Sequence, residues 1–232
     1  MGRIDYTRTR SVPVNPALLR EHLLIAGLEP CPYVDAFKVL RTRVALKMRE
    51  NGWTTLGITS PNPGAGKTLV AINLALGLSM EYTQTVLLVD ANLRNPDIHR
   101  RFGLEPGHGL ADHLLDRLPL EHILVHPQGM DRFVLLPGNR PLAGSAELLS
   151  SPVTAELVEE LKQRYPSRLV IFDLPHLGTS DALAFAPLAD ALLLVVGAGN
   201  TRHGELAQAL EHLRDTPVIG TVLNDAEPLR AD

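Results

Sequence analysis

Apolar and polar positions along this chain form two alternating kinds of segment. Short apolar-rich runs occur at Thr54–Thr59, Thr85–Asp90 (TVLLVD), Phe133–Leu136, Arg168–Asp173 (RLVIFD), Ala191–Val196 and Pro217–Leu223. The unbroken ones predict strands buried on both faces. Between them, apolar residues recur at three- and four-residue steps, which predicts helices. Asp35–Glu50 does so on Phe37, Leu40, Val44 and Met48, and Gly66–Met80 on Val70, Ala71, Leu74 and Leu78. Further helices are expected at Pro152–Arg164, Asp181–Ala186 and Gly204–Leu213, with short ones at Pro16–Ala26, Gly109–Asp116 and Leu120–His126. Residues 1–16, with Pro13 and Pro16 among polar neighbours, read as a flexible lead-in. Buried strands alternating with helices predict an α/β fold with a mostly parallel central sheet flanked by helices, preceded by an N-terminal helical arm. The expected division is an arm over 1–34, a main domain over 35–228 and a short tail over 229–232. Ligands of such sheets sit beyond the carboxyl ends of the strands, which directs attention to the strand tips.

Composition narrows the possibilities. With 232 residues and 45% hydrophobic content the chain can bury a sizeable core, and wholesale disorder is excluded. The net charge of −4 is uneven: residues 1–50 carry +4 and the remainder −8. No global basic field recruits nucleic acid. A lone cysteine, Cys31, excludes a disulfide framework and a cysteine-rich zinc site. His99, His108, His113, His122, His126, His203 and His212 read as loop or helix-surface residues without metal-ligand spacing. The most apolar stretch, Ala191–Ala198, is far shorter than the roughly 20 residues of a bilayer span. The first 16 residues lack the apolar stretch of a signal peptide, so a cytoplasmic location is expected.

The candidate chemistry is concentrated in TSPNPGAGKT, residues 59–68, between a predicted strand and a predicted helix. Gly64 and Gly66 let backbone approach a phosphate, and the N–H groups from Gly64 through Ala65 to Thr68 would open onto a helix N-terminus that favours anions. Lys67 can reach the β- and γ-phosphates, and the Thr68 hydroxyl can ligate Mg²⁺. Pro61 stands where the strict phosphate-loop pattern has its first glycine. Two predicted strands end in aspartate, at Asp90 and Asp173. A carboxylate at such a tip beside a phosphate loop suits Mg²⁺ binding through water. Mg-ATP is therefore the expected ligand.

Taken together these residues resemble the bacterial tyrosine kinase (BY-kinase) family, P-loop NTPases tied to capsule and exopolysaccharide export. Ser60–Thr68 resembles the family's first motif, including Pro63. VLLVD followed by Ala91, Asn92, Leu93 and Arg94 resembles its D-x-D-x-R motif, and LVIFDLP its third. The resemblance implies catalytic roles for Lys67, Asp90, Asn92 and Arg94, and an adenine-side role for Asn224. It implies ATP and Mg²⁺, and a membrane-bound polysaccharide co-polymerase or chain-length regulator as activator, which would hold the protein at the inner membrane face. Asp35, Lys38 and Arg41 stand where the family's oligomerisation motif has Glu, Arg and Arg, implying a homo-oligomer. The related MinD- and ParA-like groups carry a second lysine five residues before the phosphate-loop lysine. Here that residue is Asn62.

Departures qualify what the resemblance implies. Asn92 replaces the second aspartate of its motif and loses the charge. His176 stands where the family has a second proline, and Lys38 lacks the bidentate fork of arginine. The family's C-terminal tyrosine cluster has no counterpart after Tyr165, so tail autophosphorylation is not expected of this sequence. Three readings follow: a tyrosine kinase or ATPase, a catalytically weakened nucleotide-dependent scaffold of the export system, and, least favoured, a partitioning ATPase.

Overall fold

The computed structural model describes residues 9–81, 84–105, 107–164 and 168–226. Strand β1 (Arg10–Val12) is followed by helix α1 (Pro16–Glu21), a 3-10 turn at Ile25–Gly27 and the long helix α2 (Pro32–Asn51). Next come β2 (Thr55–Thr59), α3 (Lys67–Ser79) and β3 (Thr85–Asp90). The middle of the chain holds α4 (Ile98–Arg101), α5 (Leu110–Asp116), α6 (Leu120–Ile123), β4 (Val125–Pro127) and β5 (Phe133–Leu136). It continues through α7 (Ser145–Leu149), α8 (Pro152–Arg164), β6 (Arg168–Asp173), α9 (Ser180–Phe185), β7 (Ala191–Gly197), α10 (His203–His212) and β8 (Val218–Asn224).

The strands form one sheet in the order β1-β4-β5-β3-β6-β2-β7-β8. Neighbours run parallel except β4 and β5. This is the mostly parallel α/β sheet that the apolar runs predict. Because successive side chains point to opposite faces, each central strand feeds two cores. Leu56, Ile58, Val86, Leu88 and Ile171 face one core with α2 and α3. Leu87, Val89, Val170, Phe172 and Leu194 face the other with α5, α8, α9 and α10. A strand buried on both faces has no polar side to alternate with, which is why these runs are unbroken.

Helix α3 is buried on every side from Val70 to Ser79, between the sheet and α2. Its one amide in that stretch, Asn73, is fully satisfied by the N-terminal arm. Asn73 Oδ1 accepts from the Ile25 N–H at 2.9 Å, and Nδ2 donates to the Leu23 carbonyl at 3.0 Å and the Tyr33 hydroxyl at 2.9 Å. Burial pushes the Tyr33 hydroxyl up to about 12, so it stays protonated and donates to the Leu23 carbonyl at 3.1 Å. Leu19, Leu24 and Ile25 join the same core as Phe37 and Met48. The described part of the arm is thus packed onto the helix that follows the phosphate loop, and the division expected at residue 34 falls inside α2. The tail 229–232 and residues 1–8 lie outside the described residues, as does Tyr165.

Several expectations need correction. The supposedly flexible lead-in forms β1 at its described end, paired in parallel with β4. The helix expected to reach His126 stops at Ile123, and His126 lies in β4. Its Nδ1 donates to the Phe133 carbonyl at 3.0 Å, across to β5. His99, His113 and His126 are buried, not surface residues. His113 Nδ1 donates to the Leu118 carbonyl at 2.7 Å, so histidine here serves as a polar tie within the core. Helices α4 and α7 lie in stretches too short and too polar for periodicity to show. Among the described residues no helix is long and apolar enough to cross a membrane.

Candidate functional site

Strand β2 is buried along its whole length and delivers the chain to the carboxyl edge of the sheet at Thr59. There the chain turns before α3 starts at Lys67. Thr59 Oγ1 donates to the Pro175 carbonyl at 2.7 Å, and the Ser60 carbonyl accepts from the Leu177 N–H at 2.8 Å. The start of the loop is thereby fixed to the segment after β6. Gly66 has φ +86°, in the left-handed region that glycine enters without strain. A Cβ there would also collide with the Asn224 side chain. Asn224, the last residue of β8, donates through Nδ2 to the Ala65 carbonyl at 3.1 Å. The structure therefore brings Gly64, Ala65, Gly66, Lys67, Thr68 and Asn224 together at the N-terminus of a 13-residue helix, where backbone N–H groups and the helix dipole favour an anion.

Beside this loop lie the two strand-tip carboxylates. Strands β3 and β6 are neighbours, and Asp90 pairs in register with Asp173. Both are almost wholly buried, at 0% and 1% exposure. Asp173 Oδ2 accepts from the Thr68 hydroxyl at 2.8 Å. Asp90 Oδ2 accepts from the N–H groups of Asp97 and Ile98 at 3.0 and 3.1 Å. The second oxygens, Asp90 Oδ1 and Asp173 Oδ1, are buried without a hydrogen-bond partner. Burial pushes Asp173 up to about 6, against the pull of the Lys67 charge and the Thr68 hydroxyl. Burial, and then the neighbouring Asp173 charge, push Asp90 well above the usual carboxylate range. Two buried oxygens without donors beside a threonine hydroxyl are a suitable donor set for a hard divalent cation or its water.

The other candidates are held less directly. Asn92 is buried and donates through Nδ2 to the Asn95 carbonyl at 3.3 Å, closing a turn of its own loop. Arg94 Nε donates to Asp181 Oδ2 at 2.7 Å, and its Nη2 lies 3.4 Å from the Ser180 hydroxyl. Asp181 is fully buried and also accepts from Ser145 Oγ. His176 accepts from the Gly178 N–H at 3.2 Å, and burial together with the charges of Lys67 and Arg94 pushes its pKa down. Among the oligomerisation candidates, Lys38 pairs with Asp35 at 2.7 Å on the exposed face of α2. Arg41 instead turns inward, donating to the Gly77 carbonyl at 3.3 Å and lying 3.6 Å from Glu81.

Sequence reasoning missed three features. Asn200 and Thr201, in the loop after β7, bond to Asn62 and Pro63 of the phosphate loop. Asp181 anchors Arg94. Asp97 and Ile98 supply the amides that hold Asp90. The first had a legible signal, since the 197–201 loop leaves the carboxyl end of an unbroken apolar strand, where ligands of such sheets bind.

A phosphate loop after one buried strand, flanked by register-paired carboxylates on the next two, defines a P-loop nucleotide-binding α/β protein. No protein-family model matches the chain. It is 33% identical over 193 residues to the tyrosine-protein kinase YwqD of Bacillus subtilis, an alignment covering 82% of this chain and 80% of that protein. It is 31% identical over 216 residues to the putative tyrosine-protein kinase EpsB of Ralstonia solanacearum, covering 90% of this chain but 28% of that protein. The kinase domain of the Escherichia coli tyrosine kinase ETK superposes with a TM-score of 0.75 at 28% identity, covering 86% of this chain and 80% of that one. The chain belongs to the bacterial tyrosine-protein kinase family. It spans most of the length of YwqD and just over a quarter of that of EpsB.

Proposed function

We propose that this chain binds Mg-ATP and transfers the terminal phosphoryl group to tyrosine, in the service of capsule or exopolysaccharide synthesis. The observation that carries this reading is the pair of buried, register-matched carboxylates beside the Thr68 hydroxyl, each with one oxygen lacking a donor. Mg²⁺ would be held by Thr68, Asp173 and Asp90, and when bound would offset charge on the phosphate oxygens. Backbone amides from Gly64 to Thr68 would bind the phosphates, and the Lys67 ammonium would neutralise charge that develops on the transferred group. Asn224, packed on Ala65 and Gly66, would border the nucleoside end of the site. Asp90, whose carboxyl is pushed up by burial and by Asp173, would serve either as the base for an acceptor hydroxyl or as a partner of the cation's water. Asn92 has no carboxylate to add, and its side chain closes a turn. Arg94 would act from the rim of the site.

We read the protein as working with a membrane-bound co-polymerase that activates it in trans, at the inner face of the membrane. Self-association would use the exposed Asp35 and Lys38 of α2, with Arg41 supporting that helix from inside. The scaffold reading is favoured by one observation, the uncharged Asn92 with its amide committed to the Asn95 carbonyl. Incubation with γ-labelled ATP and Mg²⁺, alone and with a membrane activator, separates the readings. Label on tyrosine supports a kinase, free phosphate alone an ATPase, and neither product a scaffold. ATP-dependent, salt-sensitive DNA binding would instead point to a partitioning ATPase.

A further inference from the structure

The leading half of the phosphate loop contains Pro61 and Pro63, neither of which has an N–H to donate. Residues 60–63 therefore have little backbone bonding of their own with which to hold a shape. Apart from the Ser60 carbonyl, which accepts from the Leu177 N–H, their hydrogen bonds come from side chains and from a second loop. Ser60 Oγ donates to the Asn62 carbonyl at 2.7 Å. The Asn62 side-chain amide donates to the Asn200 carbonyl at 3.0 Å and to Asn200 Oδ1 at 3.3 Å. Asn62 Oδ1 accepts from Thr201 Oγ1 at 2.8 Å, and the same hydroxyl accepts from the Gly197 N–H at 3.0 Å. The Asn200 side chain returns a bond to the Pro63 carbonyl at 3.4 Å. Its amide nitrogen would lie 3.2 Å from a Cβ at Gly64, so it occupies the flank that the missing side chain leaves open.

The Thr201 hydroxyl is thus a relay with both capacities used, fixed by the backbone at the end of β7 and fixing Asn62 in turn. Asn62 is committed within its own chain through both ends of its side-chain amide. We infer that Thr201, Asn200 and Asn62 are positioning residues that preset the phosphate loop for the nucleotide, so that removing the Thr201 hydroxyl weakens ATP binding without unfolding the protein. This rests on the nucleotide-site reading above and adds to it three residues outside the glycine-lysine-threonine core. The bonds lie at a partly solvated rim, where single hydrogen bonds add little to global stability. Their effect should therefore appear in ligand affinity.

The test titrates wild type, Thr201→Val, Thr201→Ser and Asn200→Ala with a fluorescent ATP analogue in Mg²⁺, and measures the unliganded melting temperature of each. Thr201→Val keeps the shape and removes the hydroxyl, while Thr201→Ser keeps the hydroxyl. The expected result is an affinity about tenfold weaker for Thr201→Val and Asn200→Ala, near wild type for Thr201→Ser, with melting temperatures close together. Equal affinity for Thr201→Val and a binding-competent wild type overturns the inference alone, whatever the melting temperatures. A folded wild type that binds no nucleotide overturns the site reading and this inference with it.

Discussion

Asp90 and Asp173 face each other in register at the ends of neighbouring parallel strands, both buried and both with one carboxylate oxygen lacking a hydrogen bond. In the unliganded protein near neutral pH this arrangement costs stability, because burial and mutual repulsion oppose ionisation of the two carboxyls. Asp90→Asn keeps an acceptor oxygen for the amides of Asp97 and Ile98 and replaces the orphan oxygen with a neutral amide. We expect this variant to be more stable than wild type near neutral pH by on the order of 2 kcal/mol in denaturant unfolding. Its Mg²⁺-dependent ATP binding should fall at least tenfold. Lower stability in Asp90→Asn would show that the pair is not strained.

The same pair sets a pH dependence. Each carboxyl holds its proton more tightly in the folded chain than in the unfolded one, Asp173 up to about 6 and Asp90 well above its ordinary value. The folded state therefore binds more protons through that window, and this contribution to stability is lost as pH rises. For Asp173 the loss runs from about 4 to about 6. Mg²⁺ affinity should move the other way, rising as the carboxyls ionise. Unfolding and Mg²⁺ titrations from about pH 4 to 8 check both slopes. Parallel slopes would contradict the assignment of these residues to the cation.

Gly66→Ala combines a left-handed backbone with a Cβ placed on the Asn224 side chain. The backbone cost alone is about 1–2 kcal/mol. We expect ATP affinity to fall more than tenfold, with partial recovery in Gly66→Ala with Asn224→Ala, which removes the collision but not the strain. No recovery would mean that Asn224 does not set the spacing at Gly66.

Arg94 and Asp181 form a pair in which the guanidinium is half exposed and the carboxylate wholly buried. Removing the arginine leaves Asp181 with hydroxyl partners, Ser145 and Ser180. Arg94→Ala should therefore lower stability by about 1–2 kcal/mol, more than Asp181→Asn, which removes the charge that needs pairing. A double-mutant cycle in urea should give a coupling of at least 1 kcal/mol. Strict additivity would show that the ion pair contributes nothing.

The fold, and the meeting of Asp90 with Asp173 at the candidate site, were legible because burial on both faces leaves β3 and β6 as unbroken apolar runs that end abruptly in those residues. Gly66 and Lys67 stood out as candidates because backbone approach to a phosphate would demand those residue types in that order. The remainder depended on contacts distant in sequence. The apolar run of β7 points to the loop that follows it, but nothing local pairs Asn200 with Pro63 or Asp181 with Arg94, since each bond spans more than 80 residues. The arm misled for the same reason: Asn73 binds Leu23 and Tyr33 from inside a helix whose pattern reads as plain core. His126 reads as helical until Phe133, on the adjacent strand, supplies its partner.

On this reading residues 64–68, with Asp90 and Asp173, form one Mg-ATP site, and calorimetric titration of Mg-ATP into wild type and Lys67→Met decides it. Saturable Mg²⁺-dependent binding by wild type, lost in a folded Lys67→Met variant, is the expected result. Unchanged affinity in Lys67→Met would contradict it.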